Sequence, residues 1–173
     1  MHLVSAMKLW DRLPLKHRGY ILEKSLCIRR VTSKDMNTLA DFNTAMALET
    51  ENRLLDKDIT LKGAAALLEN PAYGFYLMAE YNGEVAGSLM VTYEWSDWRN
   101  KLYWWVQSVY IKPEFRRKGI FRAMYESLTE QAKEAGNVCG LRLYVEKENK
   151  RAQTIYAELG MTPSHYLMYE TDL

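Results

Sequence analysis

Apolar and polar positions recur along this chain with two different periods. Leu26–Val31, Gly74–Tyr81, Glu84–Glu94, Trp104–Ile111 and Val138–Val145 are short runs rich in β-branched and aromatic residues, the composition of strands in a half-buried sheet. Between them the apolar spacing changes to three and four. Ile120, Ala123, Met124, Leu128 and Ala132 share one face of a helix that Gly136 ends, and Glu148–Leu159 reads as another helix, closed by Gly160. Two earlier helices are expected: one capped by Thr32 or Ser33 and running to about Leu48, and one from about Thr60 to Glu69, stopped by Asn70-Pro71. Asn82-Gly83 joins two strand runs as a hairpin, because both residues tolerate positive φ. After Pro163 the tail from about Tyr166 to Glu170 reads as a last strand. The order β-α-α-β-β-β-α-β-α-β predicts an α/β fold, a mixed sheet flanked by helices. Pro14, His17, Arg18 and Gly19 interrupt the pattern at the start, so residues 1–25 read as an N-terminal extension and 26–173 as the domain.

Composition narrows what such a domain does. The 173 residues, 48% apolar, suffice for one core. Lys and Arg total 23 against 22 Asp and Glu, a net charge of +1, which gives no general attraction to nucleic acid or to an anionic membrane. Cys27 and Cys139 lie far apart without metal-ligand spacing, and His2, His17 and His165 are isolated, so no metal site is expected. The reduced thiols, the absence of a bilayer-length apolar run and a Met1–Lys8 start without signal-peptide features predict a cytoplasmic protein.

Against this balanced background Arg116-Arg117-Lys118-Gly119-Ile120-Phe121 stands out as a local basic turn between a strand and a helix. The first N–H groups of a helix have no intrahelical acceptor, and the positive end of the helix dipole faces the same way, so such a turn is an anion cradle. It has neither the two glycines and Gly-Lys-Ser/Thr of a Walker loop nor the Gly-x-Gly-x-x-Gly of a dinucleotide fold. It resembles the acyl-CoA pyrophosphate loop of the GNAT superfamily of N-acetyltransferases, Arg/Gln-x-x-Gly-x-Gly/Ala, with Arg116, Gly119 and Phe121 at the defining positions. Phe121 departs from the pattern; a large residue there narrows the approach to the phosphates unless its side chain turns into the core. A second segment, Asn149 to Met161, is similar to the family's Asn-x-x-Ala-x-x-x-Tyr-x-x-x-Gly-Phe and differs only at Met161. Asn149, Ala152 and Tyr156 are three and four residues apart and share one helix face.

The resemblance implies a splayed sheet and a ternary complex of acetyl-CoA, as co-substrate, with an amine. Val109, Tyr110 and Ile111 would pair through their backbone with the pantetheine arm, as in strand addition. Pyrophosphate would lie on the N–H groups of Arg117, Lys118, Gly119, Ile120 and Phe121. Asn149 and Ala152 would border the arm, and Tyr156 would act as general acid to the leaving thiolate.

The attacking amine must be neutral, yet an alkylamine with a pKa of about 10.4 is mostly protonated at neutral pH. The central strand Trp104–Ile111 carries no carboxylate, so the candidate bases are Glu94, at a strand end, and Glu49 or Glu51, after the first helix, with Glu94 and Glu49 ranked first because they flank the connections on the substrate side. Four of the five tryptophans gather at Trp95, Trp98, Trp104 and Trp105. They read either as core packing or, with the nearby acids, as an aromatic wall that receives a cationic amine. A small molecule and a peptide both remain open as acceptor, as does a homodimer. The alternative function is an acyl-CoA-binding sensor without turnover; a nucleic-acid binder is disfavoured by the charge balance.

Overall fold

The computed structural model describes residues 25–171, so the expected extension lies outside the described residues except for Ser25. Five strands form one sheet in the order β1 (Leu26–Arg30), β2 (Gly74–Tyr81), β3 (Glu84–Ser96), β4 (Lys101–Ile111) and β5 (Val138–Leu143). The first four are antiparallel neighbours; β5 runs parallel to β4, as the helical crossover between them requires. Helices α1 (Met36–Glu51) and α2 (Lys57–Glu69) precede β2, α3 (Ile120–Ala135) links β4 to β5, and α4 (Lys150–Glu158) follows.

The pleat sends neighbouring residues of each strand into separate cores. Leu77 packs with Leu89, Val91, Val106, Met124 and Leu128 against α3, while Met78 packs with Leu39, Phe42, Leu67 and Tyr110 under α1 and α2. Each fully buried Leu or Met contributes on the order of 1.5–3 kcal/mol. Asp35, just before α1, is tied to β1 and, through Arg29, to β2. Its carboxylate accepts from both terminal nitrogens of Arg29, at 2.9 and 2.8 Å, while Arg29 Nε donates to Glu80 at 2.7 Å. The Arg29 hydrogen bonds hold the Asp35 carboxyl well below the usual range, against burial and with help from Thr32.

One irregularity in β4 places the site. Ser88 faces Tyr110 and Met90 faces Gln107, so β4 carries one residue more than β3 at this point, and Ser108 takes φ 47°. A one-residue bulge exchanges the faces of everything beyond it. Before it, Trp104 and Val106 point to the α3 side; after it, Val109 and Ile111 do, and Tyr110 turns to α1.

Most element ends lie within a few residues of their expected positions. The second helix starts at Lys57 rather than Thr60, because the Asp56 carboxylate accepts from the N–H groups of Asp58 and Ile59 and caps it there. Strand β3 runs on to Ser96 rather than Glu94 and β4 begins at Lys101 rather than Trp104, so only a turn around Asp97–Asn100 separates them. The tail expected as a strand at Tyr166–Glu170 is not one. Its Tyr166, Leu167, Met168 and Tyr169 are exposed, and no described strand offers it a ladder; β propensity without a paired edge does not make a strand.

Candidate active site

The parallel pair β4–β5 holds together only from Leu102↔Val138 to Val106↔Leu143. Beyond it β4 continues to Ile111 while β5 has ended, which leaves the backbone of Gln107–Ile111 open on that side. This is a splayed sheet edge, and Val109, Tyr110 and Ile111 lie along it.

The basic turn follows at once. Pro113–Phe115 form a 3-10 turn, then Arg117 (φ 64°) and Gly119 (φ 76°) take left-handed conformations and α3 begins. The backbone N–H groups of residues 117–122 donate to no described acceptor, whereas Arg116 N–H bonds to Pro113 and Ala123 N–H to Gly119. Arg116 is extended, Arg117 and Gly119 are left-handed and Ile120 opens the helix, and the unpartnered N–H groups along this path make an anion-binding nest at a helix N-terminus. A Cβ built on Gly119 meets nothing within 4 Å, so the cradle is open there. Lys118 leans over the Phe115 and Tyr81 rings, 4.9 and 5.3 Å from their centroids, beside the nest.

Arg116, the first residue of the motif, turns the other way. Its Nε donates to the Ile111 carbonyl at 2.8 Å and its Nη2 to Glu49 at 2.6 Å. The Tyr110 hydroxyl also donates to Glu49, at 3.3 Å. Arg116 is therefore a strut that fastens the loop to the end of α1. Burial, and then the Glu49 charge, push the Tyr110 phenol up.

The second motif comes to the same place. Asn149 caps α4, its Oδ1 accepting from Ala152 N–H at 3.0 Å, so Asn149 and Ala152 sit together at the helix start. Tyr156, one turn on, is half-buried, and burial pushes its phenol up. Phe121 does not enter either core: it is half-buried, and its ring packs edge-on against Tyr156 at 5.7 Å, joining α3 to α4.

On the α1 side of the sheet, beyond what α1 and α2 cover, lies a polar and aromatic strip. Gln107 donates to Thr92 at 2.7 Å. One row further along, Trp105 stacks on Tyr144 with centroids 4.4 Å apart and donates its indole N–H to Glu94. Arg142 of β5 donates through Nη1 to both Glu94 oxygens, at 2.7 and 2.9 Å, and lies over the Tyr103 ring at 3.6 Å. The residues the sequence reading missed are Arg142, Tyr103, Tyr144 and Gln107. Their alternation on β4 and β5 hints at a shared face, but only the β4–β5 register brings Arg142 level with Trp105. Trp104, by contrast, is core, packed against Phe75 and Tyr93, while Trp98 is exposed. Glu49 and Glu94 thus stand at opposite ends of the strip.

Comparison with known proteins agrees with this geometry. The model of the acetyltransferase (GNAT) family matches residues 37–161, and the chain belongs to that family. A solved structure of a "possible acetyltransferase" from Clostridium difficile 630 is 42% identical and superposes with a TM-score of 0.80, over 86% of this chain and 97% of that one. The chain is also 34% identical, over 90 residues, to thialysine N-epsilon-acetyltransferase of Caenorhabditis elegans, covering 51% of this chain and 54% of that protein. A Bacillus subtilis (strain 168) protein assigned as a ribosomal protein bS18-alanine N-acetyltransferase is 33% identical over 97 residues, 56% of this chain and 59% of that one. The chain thus aligns with little more than half the length of these two relatives. A predicted acetyltransferase of Clostridium acetobutylicum, solved with acetyl-CoA, shares the fold at 18% identity and a TM-score of 0.70, over 85% of this chain and 96% of that one. Among the described residues no helix is long and apolar enough to cross a membrane, and no group of three or more His, Cys, Asp or Glu could hold a metal ion.

Proposed function

We propose that this protein transfers an acetyl group from acetyl-CoA to a primary amine by direct attack within a ternary complex. The observation that carries this reading is the run of unpartnered N–H groups at residues 117–122, lying directly beyond the open edge of β4. A pyrophosphate fits the nest, and an amide-bearing arm fits the free backbone of Val109–Ile111. When bound, acetyl-CoA supplies the activated acyl group; the chain supplies position and protons.

A β4 backbone N–H at the bulge steadies negative charge on the acyl oxygen as the amine attacks. Tyr156 keeps its proton at neutral pH, because burial raises an already high pKa, and gives it to the departing sulfur. Nothing described accepts from the Tyr156 hydroxyl, so that proton is uncommitted. The acceptor's own proton leaves through water to the Glu94 carboxylate, which also accepts from Arg142 and Trp105 on the polar strip. Glu49, engaged with Arg116 and Tyr110, holds the loop in place.

The test is thiol release from acetyl-CoA across a panel of primary amines. Release with at least one amine, lost in Tyr156→Phe, is expected. Binding of acetyl-CoA without release for any amine would favour a non-catalytic sensor.

A further inference from the structure

The polar strip holds an amide at the point where the strand edge opens. The β4–β5 pairing ends at Val106↔Leu143, and Gln107 is the next residue of β4. It stands opposite Met90, whose side chain packs against the α1-side core, so Gln107 projects to the α1 side. Ser108, the left-handed residue of the bulge, follows at once. The two carboxylates of the strip are held further off. Glu94 is tied to Trp105 and Arg142, one row before Gln107, and Glu49 to Tyr110 and Arg116, beyond the bulge.

The Gln107 amide is only half engaged. Its Nε2 donates to the Thr92 hydroxyl at 2.7 Å, which fixes how the amide is turned, while its Oε1 accepts from no donor among the described residues. Gln107 is half-buried, and Trp104 Nε1 is the one fully buried side-chain polar atom without a partner among the described residues, so Gln107 Oε1 is open to solvent. An oriented, accessible amide oxygen is an acceptor for an N–H. It carries no net charge, so it holds a nitrogen without the ion pair that favours the ammonium form.

Building on the acetyl-transfer reading, we propose that Gln107 orients the attacking amine, its Oε1 accepting one N–H of the neutral nitrogen. The side chain branches from β4 one Cα step, about 3.8 Å, before the bulge whose N–H faces the acyl oxygen. In the step it serves, the nitrogen lone pair forms the bond to the acyl carbon, the carbon–sulfur bond breaks, and the sulfur takes the Tyr156 proton. A primary amine brings two N–H groups. One proton leaves through water to Glu94 and returns to Tyr156 through solvent. The other N–H is the one that Gln107 holds and the product amide keeps. A carboxylate in this position would favour the ammonium, which has no lone pair to attack with.

The experiment measures thiol release with the best primary amine of the panel for the wild type, Gln107→Met and Thr92→Val, with calorimetry of CoA on each. Methionine keeps the length and bulk of glutamine without its oxygen, and Thr92→Val removes only the bond that the amide makes within the strip. Gln107→Met should lower kcat/KM for the amine about tenfold, the worth of one hydrogen bond, and Thr92→Val less than about threefold, with CoA affinity within about twofold in both. Equal losses in the two variants mean that the bond to Thr92 is all that Gln107 provides. That result, no loss in Gln107→Met, or a parallel loss of CoA affinity overturns the inference and leaves acetyl transfer standing. If Gln107→Met does not fold, Gln107→Ala is read by the same criteria. A wild type that releases thiol with no amine overturns the transfer reading and this inference with it.

Discussion

The two halves of the proposed site are built from different material. The cofactor side is backbone: an open strand edge, two left-handed residues and a row of unpartnered N–H groups. The acceptor side is side chains drawn from three strands, Glu94 from β3, Tyr103 and Trp105 from β4, and Arg142 from β5, fixed by hydrogen bonds and ring contacts among themselves. A backbone site tolerates many side chains and depends on chain direction and glycine. A side-chain site changes its charge with one neighbour, as Glu94 does when Arg142 reaches it. The comparison teaches that the proposed cofactor side can be read locally, whereas the side chains of the proposed acceptor side come together only through the register.

The largest effect that tests this division belongs at the point where both sides meet. Tyr156→Phe should lower kcat about 100-fold or more, within the range for loss of a general acid, while calorimetry shows CoA affinity changed by less than a few-fold. The sign of the pH dependence follows from the raised pKa. The phenol donates only while protonated, so wild-type kcat falls as pH rises through a value above 10, and Tyr156→Phe loses that dependence. A large loss of CoA affinity would mean that Tyr156 serves the cofactor side instead.

Asp35→Asn probes the scaffold beneath both sides. The folded carboxyl is depressed, so its stabilisation is present above the unfolded pKa of about 3.9 and is lost as pH falls toward the folded value. Denaturant unfolding at pH 7 should show a loss of about 2–3 kcal/mol that shrinks toward pH 3. Kd for CoA, measured well below the transition, should not change.

Glu49→Gln should have the smallest effect. Weakening the Arg116 strut should raise KM for acetyl-CoA several-fold, about 1 kcal/mol, with kcat unmoved. Glu94→Gln should lower kcat. If Glu49→Gln lowers kcat and Glu94→Gln does not, the two carboxylates exchange roles.

Much of this molecule was legible before folding. The hairpin at Asn82-Gly83, the amphipathic α3 and the loop at Arg116–Phe121 are local patterns, and local patterns survive into the structure. The orientation of Phe121 was not legible, because its ring is placed by Tyr156 on another helix. The bulge at Ser108 was also hidden. It is a mismatch between two strands, and neither strand alone carries it, yet it decides that Tyr110 faces α1 and Glu49. The tail at Tyr166–Glu170 shows the opposite failure, strong propensity without a paired edge. Arg142 carries no local signal; only the parallel register places it beside Glu94.

The central claim is that a backbone nest holds the pyrophosphate of CoA, and calorimetry of CoA with the wild type and Gly119→Asp tests it most directly. A side chain at position 119 meets nothing within 4 Å, and the left-handed backbone there (φ 76°) costs a non-glycine residue about 1 kcal/mol, least for Asp and Asn, so the fold should persist while the new carboxylate adds negative charge to the nest. The account predicts binding about 100-fold weaker, the scale of a like-charge clash. Equal affinity in a folded Gly119→Asp protein would contradict it.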